Sequence, residues 1–364
     1  MSRFELDLAF ARGDLDLTWQ LSSDCAWLGL FGASGRGKTT ALELLLGWLR
    51  PDRGSALLGG VPVGAGPVGY APQDLLLLPH WTVAQNLDAA REAAPEPLPP
   101  ALEAALLAAL ELEPLLARQA SALSGGEGRR VALARAVLAA AGTGLLVLDE
   151  PLASLDRGRR QLVLGFLLDL ADWRRTSGGG PAVVVSHSAI DLMVLCDEVQ
   201  VLETEVAPGG ARTSRFLAPG APAEVLAEEG GYDNLLVGTV ERVFGDAASF
   251  VLPGGAEITI PGRDLEAGDR VVLGLRGDDV LVATEDPGAV SARNVLEGRV
   301  ATATQRGAYV ALGIDLGGEA GGDARRLVIE THVTEGALRD LDLELGRSVL
   351  LLFKTRSIAI LARR

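Results

Sequence analysis

One stretch limits what this chain can fold into more than any other: Gly32-Ala33-Ser34-Gly35-Arg36-Gly37-Lys38-Thr39. It lies between an apolar run, Trp27 to Phe31, and a segment of good helix formers, Thr40-Ala41-Leu42-Glu43-Leu44-Leu45. A buried strand that feeds a glycine turn and then a helix is the setting of a phosphate-binding loop. The glycines let the backbone curl until several N–H groups aim at one anion, and the helix N-terminus adds its positive end. In that frame Lys38 reaches the outer phosphates of a nucleotide, and the Thr39 hydroxyl ligates Mg²⁺. Thr40 completes the first turn of the helix.

A second strand carries acid. Leu145-Leu146-Val147-Leu148 is an apolar run that ends in Asp149-Glu150. Such a strand delivers its last residues to the edge where open α/β sheets bind ligands. There Asp149 can hold the metal shell, and Glu150 can polarise an attacking water. A third motif, Leu123-Ser124-Gly125-Gly126-Glu127, opens a helix with small residues, so that Ser124 and the amides of Gly125 and Gly126 form a second anion pocket. A chain that already has one phosphate loop has little use for another, unless the second closes on a nucleotide held by a second copy.

Composition narrows the classes. The 364 residues suit two or three domains, and 48% hydrophobic content is ample for real cores. No window approaches the roughly 18 apolar residues of a membrane span. Charges alternate from Ser2 to Asp16, where a signal peptide would be apolar. The only cysteines, Cys25 and Cys196, lie far apart, which fits a reducing cytoplasm and argues against a disulfide scaffold or a cysteine zinc site. A net charge of −15 argues against sequence-independent binding to nucleic acid.

Along the chain, residues 1–206 mix short apolar runs with amphipathic helices, as an α/β domain does. Antiparallel strands are expected in the first 30 residues, helices over Ala101–Leu116 and Gly126–Ala140, and buried strands over Leu145–Leu148 and Ala182–Val185. Residues 207–234 are rich in Pro and Gly and read as a linker. Beyond them the texture is all-β and repeats: Leu265 to Arg276 matches Leu343 to Lys354, and Val237-Gly-Thr-Val240 matches Glu297-Gly-Arg-Val300. Two β units are therefore expected, at 235–290 and 291–364, the second with an insertion around Gly317 to Gly322. His80 and His332 read as structural or surface positions.

Taken together, the phosphate loop, the Leu123–Glu127 motif and the Asp149-Glu150 strand resemble the ATP-binding subunit of an ABC transporter. Ala153-Ser154-Leu155-Asp156 is similar to that family's D-loop, Ser186-His187-Ser188 to its switch histidine, and Gln73 to its Q-loop glutamine. The resemblance implies an ABC-type P-loop ATPase domain that takes ATP and Mg²⁺ and works as a homodimer. Each nucleotide would be sandwiched between one Lys38 loop and the partner's Ser124 signature. It implies Glu150, His187 and Gln73 as catalytic residues, and Thr39, Gln73 and Asp149 around the metal. Gly32 to Thr40, Ser124, Gly125, Gly126 and Asp156 would hold nucleotide. Phe10 falls roughly where the family's adenine-stacking aromatic stands, although Ala9 to Gly13 does not match the motif.

The likeness narrows further. Pro72 to Leu87 is similar to the Q-loop stretch of molybdate-importer ATPases, and its apolar and aromatic residues suit a groove for a short helix of a membrane partner. Ser291-Ala292-Arg293-Asn294-Val295-Leu296-Glu297-Gly298-Arg299-Val300 resembles the opening of the molybdate-binding Mop domain, with Arg299 in place of the usual lysine. Tetrahedral molybdate or tungstate needs convergent N–H and O–H donors, which Ser291, Arg293, Asn294 and Lys354 can supply. The resemblance thus implies an OB-like TOBE/Mop tandem after the ATPase, two membrane permease subunits docked near Gln73–Leu87, an external molybdate-binding protein, and a peripheral place on the cytoplasmic face of the membrane. Three other readings stay open on sequence alone: an importer of sulfate, ferric iron, sugar or polyamine, a soluble ABC ATPase, and a molybdate sensor.

Overall fold

In the computed structural model, residues 4–33, 35–58, 60–62, 64–73, 76–153, 155–207, 210–226, 231–252, 255–317 and 327–363 are described. The chain divides into two units, Met1–Gly230 and Gly231–Arg364. The first unit runs β1 (Phe4–Arg12), β2 (Leu15–Ser23), β3 (Trp27–Phe31), α1 (Lys38–Leu45), β4 (Arg53–Leu58), β5 (Val61–Pro62) and β6 (Val68–Ala71). Then come α2 (Val83–Ala93), α3 (Pro100–Ala109), α4 (Gly125–Ala139), β7 (Leu145–Asp149), α5 (Arg157–Thr176), β8 (Ala182–Ser186), α6 (Ala189–Leu195), β9 (Glu198–Val206), β10 (Arg212–Phe216) and α7 (Pro222–Val225).

The described strands of this unit form one ten-stranded sheet in the order β5-β4-β1-β2-β10-β9-β3-β8-β7-β6. Its two ends differ in kind. β1 and β2 pair antiparallel and alternate buried with exposed residues, the mark of a sheet covered on one face. In β7 and β8 every residue is buried, as expected of parallel strands covered on both faces. β3, β8, β7 and β6 run parallel in that order, so their carboxyl ends line one edge. The phosphate loop, Gln73, Asp149-Glu150 and His187 each follow one of these strands. Parallel pairing alone therefore gathers them.

Arg174, 1% exposed, braces the opposite, amino-terminal edge of these strands. Its guanidinium donates to the carbonyls of Ala140, Gly144, Gly180 and Pro181, which tie the end of α4 to the starts of β7 and β8.

Three sequence expectations are corrected. The helix over Ala101–Leu116 stops at Ala109, Glu111 turns left-handed (φ 49°), and a short 3₁₀ turn, Glu113–Leu115, follows around Pro114. Residues 207–234 are more than a linker, because β10 lies within them and pairs with β2 and β9. Pro and Gly around this strand masked its alternation: Ser214 is buried and donates to the Arg36 carbonyl, and Phe216 packs on Trp19 at 4.6 Å.

The third correction concerns the β tandem. The second unit runs β11 (Asn234–Phe244), β12 (Ala247–Val251), β13 (Glu257–Pro261), β14 (Arg270–Leu275), β15 (Leu281–Ala283), β16 (Asn294–Arg306), β17 (Tyr309–Asp315), β18 (Val328–Val333), α8 (Glu335–Asp340), β19 (Ser348–Phe353) and β20 (Ala359–Arg363). Two five-stranded sheets result, β13-β12-β11-β14-β20 and β15-β19-β16-β17-β18. The repeat is structural: β11 shifts register between Val240 and Arg242, and β16 between the matching Val300 and Thr302. The cut at residue 290 is not. β15 crosses into the second sheet and β20 returns to the first, and one hydrophobic core joins Phe250 and Leu273 with Phe353 and Leu351. The insertion around Gly317 to Gly322 lies largely outside the described residues.

Candidate functional site: a phosphate cradle and its carboxylates

Leu15, Gly35, Gly37, Lys38, Thr39, Thr40, Gln73, Asp149, Glu150 and Arg212 line one cavity of about 240 Å³. Gly35 (φ 77°) and Gly37 (φ 105°) take left-handed backbone, which costs a residue with a Cβ about 1 kcal/mol or more. Gly37 caps α1 with no side-chain hydrogen bond. The first-turn amides thus have no intrahelical partner and face the cavity mouth, where an anion can take them. Lys38 is buried and its ammonium curls back on the carbonyls of Gly32 and Ala33. Burial pulls Lys38 below its ordinary pKa, against the opposing pull of Glu150 and Asp149. Gly32, Ala33 and Arg36 complete the loop, with Arg36 held through its carbonyl by Ser214; Ser34 lies outside the described residues.

Asp149, 7% exposed, ends β7 inside this cavity. Burial, reinforced by the neighbouring Glu150, pushes its carboxyl from 3.8 up to about 6, with Lys38 opposing. A cation beside it would relieve that cost. Every non-nitrogen donor here is a hard oxygen, from Thr39, Gln73 or Asp149, so the set suits Mg²⁺.

Glu150 is the strained residue of the site. Its φ of 53° is left-handed, which costs a non-glycine residue of order 1–3 kcal/mol. Two neighbours hold it there. Its amide donates to Val185 at 3.0 Å, and its carboxylate spans His187, taking the backbone N–H at 3.0 Å and lying 2.8 Å from Nδ1. Glu150 is nearly covered while His187 is 63% exposed, so the histidine sits between the carboxylate and whatever approaches from outside.

Ser124 and Asp156 do not line this cavity. Ser124 caps α4 in a reciprocal box with Glu127: its amide and hydroxyl both donate to the Glu127 carboxylate at 2.8 Å. Arg118 pairs with the same carboxylate at 2.8 Å. A Cβ at Gly125 or Gly126 would meet nothing within 4 Å, so the head of this helix is open to a ligand or partner. Asp156 caps α5 through the Arg159 amide at 3.1 Å, and Ser154 lies outside the described residues.

An apolar rim adjoins Gln73. Leu76, Leu78 and Trp81 are 46%, 44% and 42% exposed. They stand on a built loop: buried Asn86 exchanges hydrogen bonds with the Leu78 backbone at 2.9 and 3.2 Å and with the Thr82 carbonyl at 3.0 Å.

Sequence reasoning missed Arg212 and Leu15. Arg212 donates to the Gly35 carbonyl at 2.9 Å and pairs with Asp14 through two nitrogens at 2.8 and 3.1 Å. The signal was hidden, because Arg212 lies in the stretch that reads as a linker. Phe10 points into the β1–β2 core, 8% exposed, and is no part of the cavity lining.

In the β unit, Ser291, Arg293 and Lys354 are exposed, and Asn294 is 2% exposed. The Asn294 side chain clasps the Thr259 peptide, accepting its N–H at 2.6 Å and donating to its carbonyl at 3.0 Å. The matching Asn234 clasps the Glu330 peptide in the same way at 2.6 and 2.9 Å. These asparagines stitch the halves together. Lys354 follows Phe353, which pairs with Asn294 across β16 and β19, so its backbone lies beside the start of β16.

Comparison with known proteins gives the family. Residues 16–153 match the ABC transporter family, and residues 290–360 match the TOBE domain. The chain is 33% identical over 366 residues to a molybdenum import ATP-binding protein of Mesorhizobium japonicum, covering 97% of this chain and 95% of that one. It is likewise 33% identical to the corresponding protein of Rhizobium etli, over 98% and 96% of the two chains. Among solved structures, an RNase-L inhibitor aligns with TM-score 0.50 at 28% identity, over 63% of this chain and 42% of that one.

Proposed function

The chain belongs to the molybdenum-import ATP-binding proteins of the ABC transporter family, and on that premise we propose how its parts divide the work. It is the ATPase subunit of a molybdate importer. The observation that carries the mechanism is the single cavity joining Lys38, Thr39, Gln73, Asp149 and Glu150. ATP enters with its phosphates on the free amides of α1, and Lys38 leaves the Gly32 and Ala33 carbonyls for the outer phosphates. Mg²⁺, held by Thr39, Asp149 and Gln73, would neutralise phosphate charge when bound. Glu150, fixed by His187, orients a water for attack on the γ-phosphate.

The second copy supplies what this cavity lacks. Ser124 with the amides of Gly125 and Gly126, together with Asp156, closes over the nucleotide of the partner. Closure carries the Leu76–Trp81 rim with it, and the apolar groove there receives a helix of each of two permease subunits. A peripheral place on the cytoplasmic face of the membrane follows from that docking; among the described residues no helix is long and apolar enough to cross a membrane itself. Molybdate or tungstate bound through Ser291, Arg293 and Lys354 would bias the closed and open states and give feedback, with Asn294 holding the strand that presents them.

The test is uptake and ATPase activity in reconstituted transporter. Glu150→Gln is expected to lower hydrolysis by roughly 10²–10⁴-fold while ATP still binds, the usual loss on removing a general base. Hydrolysis that continues unchanged in this variant would remove Glu150 from the mechanism.

A further inference from the structure

The matching ends of the two β halves carry opposite chemistry. The Asn294 end bears Arg293, Lys354 and Arg356; the corresponding residues at the Asn234 end are Asp233, Arg276 and Asp278. His332 stands at that second end with its side chain only 8% exposed. Three carboxylates surround it: Asp278 Oδ1 lies 2.9 Å from Nδ1, while Glu330 Oε1 and Asp233 Oδ1 lie 3.1 and 3.5 Å from Nε2. The sequence reads His332 as a structural or surface position; Glu330 stands two residues away on β18, but Asp233 and Asp278 come from distant stretches of chain.

A carboxylate can only accept, so the proton between Asp278 and the ring belongs to Nδ1. In the neutral ring Nε2 then presents its lone pair to two further carboxylate oxygens, whereas in the imidazolium it donates to them, so a proton and a cation compete for one position. Without either, three electron-rich atoms converge with no donor among them. Arg306, 3.7 Å from Glu330 Oε1, offsets only part of that charge. The ring is also fixed in place: Tyr309 stacks on it at 4.3 Å, and a Cβ on Gly277 would fall 2.7 Å from it. The Gly277 N–H holds the other oxygen of Asp233 at 2.6 Å.

We infer that Asp233, Glu330 and His332 form a site for a divalent transition cation of the zinc class. The ligand atoms all lie within 4.8 Å of one another. Their separations from Nε2, 3.1 and 3.5 Å, bracket the edge of about 3.3 Å that a tetrahedron with zinc-to-nitrogen and zinc-to-oxygen bonds of about 2.0–2.1 Å requires. One imidazole with two carboxylates suits zinc, manganese or iron, whereas magnesium and calcium prefer oxygen alone. Asp278 plays the supporting part, fixing the tautomer through Nδ1 as carboxylates behind metal-bound histidines do. The fourth position is left for water. Because Asp233 immediately precedes β11 and the other two ligands sit on β18, the cation pins the two halves of the tandem where Asn234 already clasps Glu330.

The experiment uses the full chain, stripped with chelator and kept in excess Mg²⁺ to cover the nucleotide site. Zn²⁺ is titrated by calorimetry, and Co²⁺ by its visible absorption. One equivalent is expected, weakened at least about tenfold in Asp233→Asn and in Glu330→Gln and abolished in His332→Ala, together with a zinc-dependent rise in Tm that these variants lose. Absence of stoichiometric binding to the wild type, or binding that Asp233→Asn and Glu330→Gln both leave unchanged, would overturn the site. The two conservative variants decide the matter even if His332→Ala fails to fold.

Discussion

Helices α1 and α4 both open on glycine and small residues, yet their first turns are finished in opposite ways. At α1 the capping residue is left-handed Gly37 with no side chain to offer, and the amides face a cavity that also holds Lys38, Asp149 and Glu150. At α4 the cap is complete within the chain, because Ser124 and Glu127 satisfy each other and Arg118 neutralises the carboxylate. On the proposed function, a nucleotide would finish the first helix, whereas the second is a finished surface that would add donors to a nucleotide held by another copy. Two glycine-headed helices can therefore share an anion without competing for it, provided they belong to different copies.

Substitutions sharpen that contrast. The largest expected effect is at α1: Lys38→Ala should lower ATPase activity by roughly 10²–10³-fold, the scale of losing one fixed donor to developing phosphate charge, and should weaken ATP binding to the monomer. At α4, Ser124→Arg should leave monomer binding of ATP within about twofold while hydrolysis falls by an order of magnitude or more, the scale set by obstructing a donor that acts only on closure. Equilibrium binding by fluorescent nucleotide, read beside turnover, separates the two. Equal losses of binding in both variants would break the comparison.

A smaller effect marks the cost of the first site. Asp149 is held above its ordinary value, so between about pH 4 and pH 6 the folded chain binds more protons than the unfolded one. Stability is therefore lost as pH rises through that window, and Asp149→Asn should be more stable than wild type by about 2 kcal/mol at neutral pH, after allowance for incomplete burial. Denaturation of both proteins across pH 4–7 in the absence of Mg²⁺ checks the sign. The gap should widen with pH; a gap that narrows would contradict the desolvated carboxylate.

Much of this was legible in sequence, for a physical reason. Loop, strand-end and cap motifs are local, and parallel pairing of β3, β8, β7 and β6 collects the loop and strand-end residues without further instruction. What stayed hidden was non-local. Arg212 braces the phosphate loop from a strand of only five residues set among glycines and prolines. The exchange of β15 and β20 between sheets leaves no trace in a repeat whose two copies look self-contained. Asn294 reads as a ligand by its motif, and its burial against Thr259 is set by a strand 35 residues away. His332 gains Asp233 and Asp278 the same way.

The most direct test of the central claim is the molar mass of the Glu150→Gln protein in solution, measured by light scattering with and without ATP. ATP is expected to convert monomer to dimer, and Ser124→Arg in the same background should abolish the conversion while the protein still binds ATP. A chain that stays monomeric with ATP bound, or that dimerises equally well with Arg at position 124, would contradict the sandwich.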